Sequence, residues 1–140
     1  MELDLTNLQK AIVSLEHSIN AFSDESFMAN MTPMQKNLIR AGVIQNFEFT
    51  YELCWKFMVR WLEKNLNPSI AVGLFRKELF RLAGERGLIT DFARWVRYND
   101  SRNIVSHAYD EDIASQILEL TPMFLDDAKN LLTTLEQHND

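Results

Sequence analysis

Apolar residues recur three and four positions apart along almost the whole chain, and that spacing leaves room for little except α-helix. Leu5, Leu8, Ile12, Leu15, Ile19 and Phe22 step by 3-4-3-4-3, one narrow stripe on a first helix. Thr32-Pro33-Met34-Gln35 has the form of a capping box with proline at the first helical position, so a second helix starts there. It runs to about Asn65, where Asn67-Pro68 ends it. A third helix is expected from about Ser69 to Arg86, stopped by Gly87 in a left-handed cap. Thr90 is read as the cap of a fourth, Asp91 to about Ser106, with Phe92, Trp95, Val96 and Asn99 on its buried face. The last segment opens on Asp110-Glu111-Asp112, acids suited to a helix N-terminus, and Pro122 should break or kink it into two pieces. No alternating strand pattern occurs, and only 4 glycines and 3 prolines interrupt the chain. The expectation is an all-α, up-and-down bundle of four to five helices, a single domain over residues 1–140. A chain of that length buries roughly two-thirds of its unfolded surface.

The second helix carries more apolar surface than one core face requires. Phe47, Tyr51, Trp55, Met58 and Leu62 make one stripe, and Phe49, Leu53, Phe57 and Trp61 make another. Glu48, Glu52, Lys56 and Arg60 fill the remaining strip, with Glu52 four residues before Lys56. Two-sided burial inside the bundle explains this arc, and so does a core on one side with a subunit interface on the other. Base stacking on the rings is a third reading, less favoured because aromatics at helical spacing usually pack.

Charge and composition exclude several classes. The net charge of -6 argues against general affinity for nucleic acid, but the charge is unevenly spread. Residues 108–140 hold eight acids and one base, whereas Arg76 to Arg102 holds seven bases against four acids. Such a segment forms either a solvated helix face or a local phosphate-binding surface, since screening limits distant charges to about 8–10 Å. Cys54 is the sole cysteine, so no intrachain disulfide or cysteine zinc site is available. Gly42, Gly73, Gly84 and Gly87 make no phosphate-cradling loop. His17, His107 and His138 lack metal-pair spacing, so no metal or cofactor is expected. Asp110-Glu111-Asp112 resembles the Asp-x-Asp of nucleotidyltransferases, but the strand and Gly-Ser turn that should precede it are missing. The acidic start lacks a signal-peptide layout, and no apolar run reaches the ~20 residues of a membrane span. A cytoplasmic location without membrane attachment is expected.

One dense polar cluster remains, Arg94 to Tyr109. Arg94, Tyr98 and Arg102 are spaced by four, with Arg97 alongside, a basic stripe that should lead to one place. Arg102 and His107 are about 140° apart on a regular helix and converge only if it ends or distorts near Ser106. A simple dipole-stabilised C-terminal histidine is the plain alternative. As chemistry, arginine with histidine suits RNA cleavage, because RNA carries its own 2′-OH nucleophile. A histidine titrating near about pH 6.5 moves that proton, and a guanidinium stabilises the phosphorane. The product would be a 2′,3′-cyclic phosphate.

Arg102-Asn103-Ile104-Val105-Ser106-His107-Ala108-Tyr109 resembles the Arg-x4-His-x-Tyr motif of HEPN proteins, most closely the HepT-like branch long described as nucleotidyltransferase substrate-binding proteins. Chain length, helical order, the aromatic second helix, Asn103 and the acids after Tyr109 agree with that resemblance across the chain. It implies a two-fold homodimer with both motifs facing one cleft, and a separately encoded small nucleotidyltransferase as partner. In one reading Arg102 and His107 form a metal-independent ribonuclease site in a toxin, neutralised by adenylylation of Tyr109. Arg94, Arg97, Tyr98 and Asn103 would then bind RNA or nucleotide transiently, with Asp100 able to pair with Arg97 or Arg102. In the alternative reading the chain is a non-catalytic subunit that presents substrate, like the helical C-terminal domain of kanamycin nucleotidyltransferase.

Overall fold

The computed structural model describes residues 2–139; Met1 and Asp140, the ends of the expected 1–140 span, lie outside them. Among the described residues there are six α-helices, one 3-10 turn and no strand. The helices are α1 (Thr6–Ser23), α2 (Glu25–Ala29), α3 (Pro33–Asn65), α4 (Arg76–Glu85), α5 (Phe92–Asn103) and α6 (Glu111–Gln137), with the 3-10 turn at Val105–His107. None of these helices is long and apolar enough to cross a membrane.

The long α1, α3 and α6 pack against one another, and the shorter α4 and α5 pair beside them. The stripe read on α1 is the buried one: Leu8, Ile12, Leu15 and Ile19 are all core residues. On α3 the capping box forms as spelled, with Gln35 N–H donating to Thr32 Oγ1 at 3.2 Å and Thr32 N–H to Gln35 Oε1 at 2.9 Å. The two aromatic stripes of α3 meet different fates. Phe47, Tyr51, Met58 and Leu62 enter the core, joined by Phe57 from the second stripe. Trp61 leans on the end of the chain, its indole N–H donating to the His138 carbonyl at 3.2 Å. Phe49 alone of these rings stays largely out, 58% exposed. Packing within the chain therefore absorbs most of the wide apolar arc.

Four expectations are corrected. The polar stretch after α1 contains a sixth helix, α2, capped by Asp24 accepting from Phe27 N–H at 3.0 Å. The third expected helix starts at Arg76 rather than Ser69. Residues 67–74 instead form consecutive i→i+3 turns that end at Gly73, whose φ of 78° a helix cannot contain. Gly87 does close α4 as anticipated, with Leu88 N–H reaching back to the Ala83 carbonyl at 2.9 Å. Asp91, not Thr90, caps α5, accepting from Arg94 N–H at 3.1 Å. Lastly, α6 runs unbroken through Pro122. Proline leaves the carbonyl four residues earlier, Leu118, without its helical donor, and Thr121 Oγ1–H supplies one at 2.8 Å.

An aromatic cluster centred on Phe124 of α6 positions α5. The Phe124 ring lies 5.0 Å from Phe47, 5.0 Å from Tyr98 and 6.0 Å from Trp95, mostly edge-on. The buried residues of α5 are Trp95, Tyr98 and Ser101, a face turned from the expected Phe92, Trp95, Val96 and Asn99.

Candidate functional site

The polar cluster sits where α5 stops. The helix ends at Asn103, earlier than the expected Ser106, so Arg102 lies in its last turn and His107 on the 3-10 turn beyond. The Arg102 side chain is held by α3. Its Nε–H donates to Glu52 Oε1 at 2.9 Å, and Glu48 Oε2 lies 3.6 Å from the same nitrogen. Both of these contacts are made at Nε, and the two terminal nitrogens donate no hydrogen bond among the described residues. That is the edge a guanidinium offers to a phosphate in a bidentate contact. Glu52 also takes the Trp55 indole N–H on its other oxygen, at 3.0 Å, so one carboxylate fixes an arginine and a tryptophan together.

His107 is exposed, with no ion pair among the described residues. Its ring stands edge-on to Tyr109, centroids 6.1 Å apart. Tyr109 is 84% exposed, at the rim of a cleft of about 820 Å³ between α3, the 3-10 turn and α6. The charged lining of this cleft is Arg40 with Glu48, Glu111 and Glu119. Asn103 and Arg97 are also exposed.

The basic stripe does not lead to one place. Tyr98, its middle member, is wholly buried, and its hydroxyl donates to the buried Asp127 of α6. Burial, then the bond to Asp127, push that phenol far above its ordinary 10.0, so it stays neutral. This removes Tyr98 from any nucleotide-binding surface. Arg94 leans toward the same carboxylate, Nη1 to Asp127 Oδ1 at 3.4 Å, and to Asp91 at 3.3 Å. Arg94 and Arg102 thus face different helices. Asp100 pairs with neither Arg97 nor Arg102; the carboxylates of α3 pair with Arg102, and Arg97 forms no ion pair among the described residues. Likewise Glu52 pairs with Arg102 rather than with Lys56.

Sequence reasoning missed Glu48 and Glu52 as partners of Arg102. They were visible only as part of a charged strip on α3, with nothing to say which helix they would meet. Tyr51, one position before Glu52, donates its hydroxyl to Asn99 Oδ1 at 2.8 Å and pins α5 to α3 beside them. Cys54 is buried, and desolvation pushes its thiol far above its ordinary 9.0, so it is no nucleophile. No group of three or more His, Cys, Asp or Glu among the described residues is arranged to hold a metal ion.

Fold and motif together define a HEPN-like helical bundle with an Arg-x4-His-x-Tyr sequence at the end of its fifth helix. The chain matches the family described as nucleotidyltransferase substrate binding protein like over residues 3–137, and it belongs to that family. A Haemophilus influenzae protein named "Probable ribonuclease HepT" is 36% identical over 139 residues, 99% of this chain and 95% of that protein. A Haemophilus influenzae structure, described as revealing the fold of a substrate binding domain of a nucleotidyltransferase, superposes with a TM-score of 0.92. It shares 36% identity and covers 96% of this chain and 100% of its own. A Thermus thermophilus crystal structure superposes with a TM-score of 0.64 at 26% identity, over 86% of this chain and 98% of its own.

Proposed function

We propose that this protein is a HepT-like endoribonuclease that cleaves RNA without a metal ion. The observation that carries the reading is the arrangement after α5: Arg102 held at Nε with its terminal edge free, and an exposed His107 on the turn that follows. His107 takes the proton of the 2′-OH as that oxygen attacks the adjacent phosphorus. The bond to the 5′-oxygen breaks, leaving a 2′,3′-cyclic phosphate, and the Arg102 terminal N–H groups hold the phosphorane oxygens. The leaving 5′-oxygen takes a proton from His107 of a second copy in a composite two-fold site. Arg97 and Asn103 contribute exposed donors for neighbouring phosphates.

A homodimer follows from the same reading. Met34, Leu38 and Phe49 are 75%, 67% and 58% exposed. They lie within about 60° of one another around α3, on the side that carries Glu52. Phe49 is one turn from Glu52, with Leu38 and Met34 about 16 and 22 Å farther along the same side of α3. Exposed apolar side chains strung along one side of a long helix suit a two-fold contact that brings two Arg102–His107 pairs together. The toxin is neutralised by a separately encoded nucleotidyltransferase that adenylylates Tyr109. The 84% exposure of Tyr109 supports this, as does its ring beside His107, where an added phosphate repels RNA.

A second reading has its own support. Glu48 and Glu52 offset the Arg102 charge, which favours a non-catalytic subunit presenting substrate to the nucleotidyltransferase. One experiment separates them: measure the intact mass of the protein made alone and with its partner, then incubate each with RNA in chelator. The ribonuclease reading expects cyclic-phosphate ends from the unmodified protein and none once AMP is attached to Tyr109. Intact RNA with unmodified protein leaves the presenting-subunit reading in its place.

A further inference from the structure

The guanidinium of Arg76, in the first turn of α4, stands over the indole of Trp55 with Cζ 3.2 Å from the ring centroid. That seat matters because of what else the indole touches. Trp55 donates its N–H to Glu52, and the other Glu52 oxygen holds Arg102. Arg76, Trp55, Glu52 and Arg102 therefore form one connected row, in which a single carboxylate sets the spacing between two guanidinium groups. The Tyr51 hydroxyl lies within electrostatic reach of both. Arg76 itself forms no ion pair among the described residues and is half-buried, its planar cation steadied by the ring rather than by an acid. The next residue back, Phe75, is 78% exposed. An exposed ring one residue along the chain from a guanidinium without an acid partner offers both contacts that single-stranded RNA uses, phosphate on a cation and base on a ring.

We propose that Arg76, seated on Trp55, is a second phosphate-binding group that holds the RNA phosphodiester next to the one placed at Arg102. The assignment rests on the ribonuclease reading and adds its substrate preference: a strand with at least two phosphodiesters over a dinucleotide. Arg102 alone serves a dinucleotide, whereas an oligonucleotide gains the Arg76 contact.

The test compares the parent with Arg76→Gln, Arg76→Lys and the neighbouring control Lys77→Gln on two substrates, a dinucleoside monophosphate and a short single-stranded RNA of mixed sequence. Salt-dependent binding of the fluorescein-labelled RNA is recorded with each substitution placed on His107→Ala, so that the strand stays intact. Arg76→Gln should lower kcat/KM for the oligonucleotide about tenfold more than for the dinucleotide, chiefly through KM, with partial recovery in Arg76→Lys. Its log–log salt slope for RNA binding should become shallower by about 0.7. Lys77→Gln should track the parent on both substrates. Equal losses on the two substrates would mean that Arg76 only props up Arg102, and would overturn the proposal. An unchanged salt slope overturns it too, whether or not RNA is cut. A parent that cuts neither substrate sinks the ribonuclease reading instead, and the salt slope then decides Arg76 by itself.

Discussion

Tyr98 and Arg102 stand one helical turn apart on α5, yet they inhabit opposite worlds. Tyr98 is wholly buried among Trp95, Phe124 and Asp127. Arg102 is about a third exposed and is held by one nitrogen, with its outer edge free. The first environment is closed, with every polar group answered: Asp127 takes the Tyr98 hydroxyl and faces Arg94. The second is incomplete, since the carboxylates of α3 engage only Nε and the helix stops one residue later. The difference teaches that closure gives stability while an unfilled edge leaves room for a ligand, and that one short helix carries both.

The comparison breaks most decisively at His107. His107→Ala should lower metal-free RNA cleavage by about 10²-fold or more while leaving the thermal unfolding midpoint in place, because the ring is exposed and outside the core. Equal cleavage by mutant and parent would remove the open end from the chemistry altogether. Tyr98→Phe should do the reverse. It leaves the buried Asp127 short of a donor, at a cost of about 1–3 kcal/mol in urea unfolding, with cleavage little changed. The same variant probes alkaline stability. Tyr98 and Tyr51 are both pushed above their ordinary 10.0 by burial. Above that pH the unfolded chain sheds protons that the native chain keeps, so stability falls as pH rises, by up to about 1.4 kcal/mol per pH unit for each phenol. Tyr98→Phe should make that fall less steep; an unaltered slope would contradict the burial of its proton.

A smaller effect sharpens the open end. Glu52→Gln replaces an acceptor shared by Arg102 and Trp55 with an amide that satisfies only one of them, and should lower kcat by about tenfold. Glu48→Gln removes the looser 3.6 Å contact and an acid beside the proposed phosphate site, and should tighten RNA binding instead. If both substitutions move RNA affinity the same way, Glu52 is acting as charge rather than as a positioning group. The smallest effect lies far from the site. Thr121→Val should cost about 1 kcal/mol in the parent and nearly nothing beside Pro122→Ala, since an alanine N–H would answer the Leu118 carbonyl itself. Additive losses would show that the hydroxyl has some other role.

Much of the fold was legible because helices announce themselves locally. The stripe of α1, the capping box of Thr32 and Gln35, and the Gly87 stop each depend on residues within a turn or two of one another, and all form as read. The failures came where one neighbour outweighed the pattern. Gly73 held the 67–74 segment in turns, and Thr121 rescued a helix that Pro122 alone would have interrupted. The candidate site was legible as a run of sequence but not as a geometry. Arg102, His107 and Tyr109 stand together in the sequence, whereas the basic stripe of Arg94, Tyr98 and Arg102 dissolved once Tyr98 turned inward.

What the sequence determined by itself, then, is the helical class, the courses of α1 and α3, and the polar octapeptide Arg102 to Tyr109 at the end of α5, because spacing and capping are local properties of the chain. What only the tertiary structure decided is which carboxylate meets which guanidinium. Glu52 and Arg102 are separated by 50 positions, and their 2.9 Å contact exists because the Phe124 cluster and the Tyr51–Asn99 bond lock α5 against α3 in one rotation. Tyr98 and Arg102 lie only about 40° apart around α5, so a different roll would carry both away from these partners with the same helices intact. Packing of large rings, which admits few arrangements at close-packed density, makes that choice.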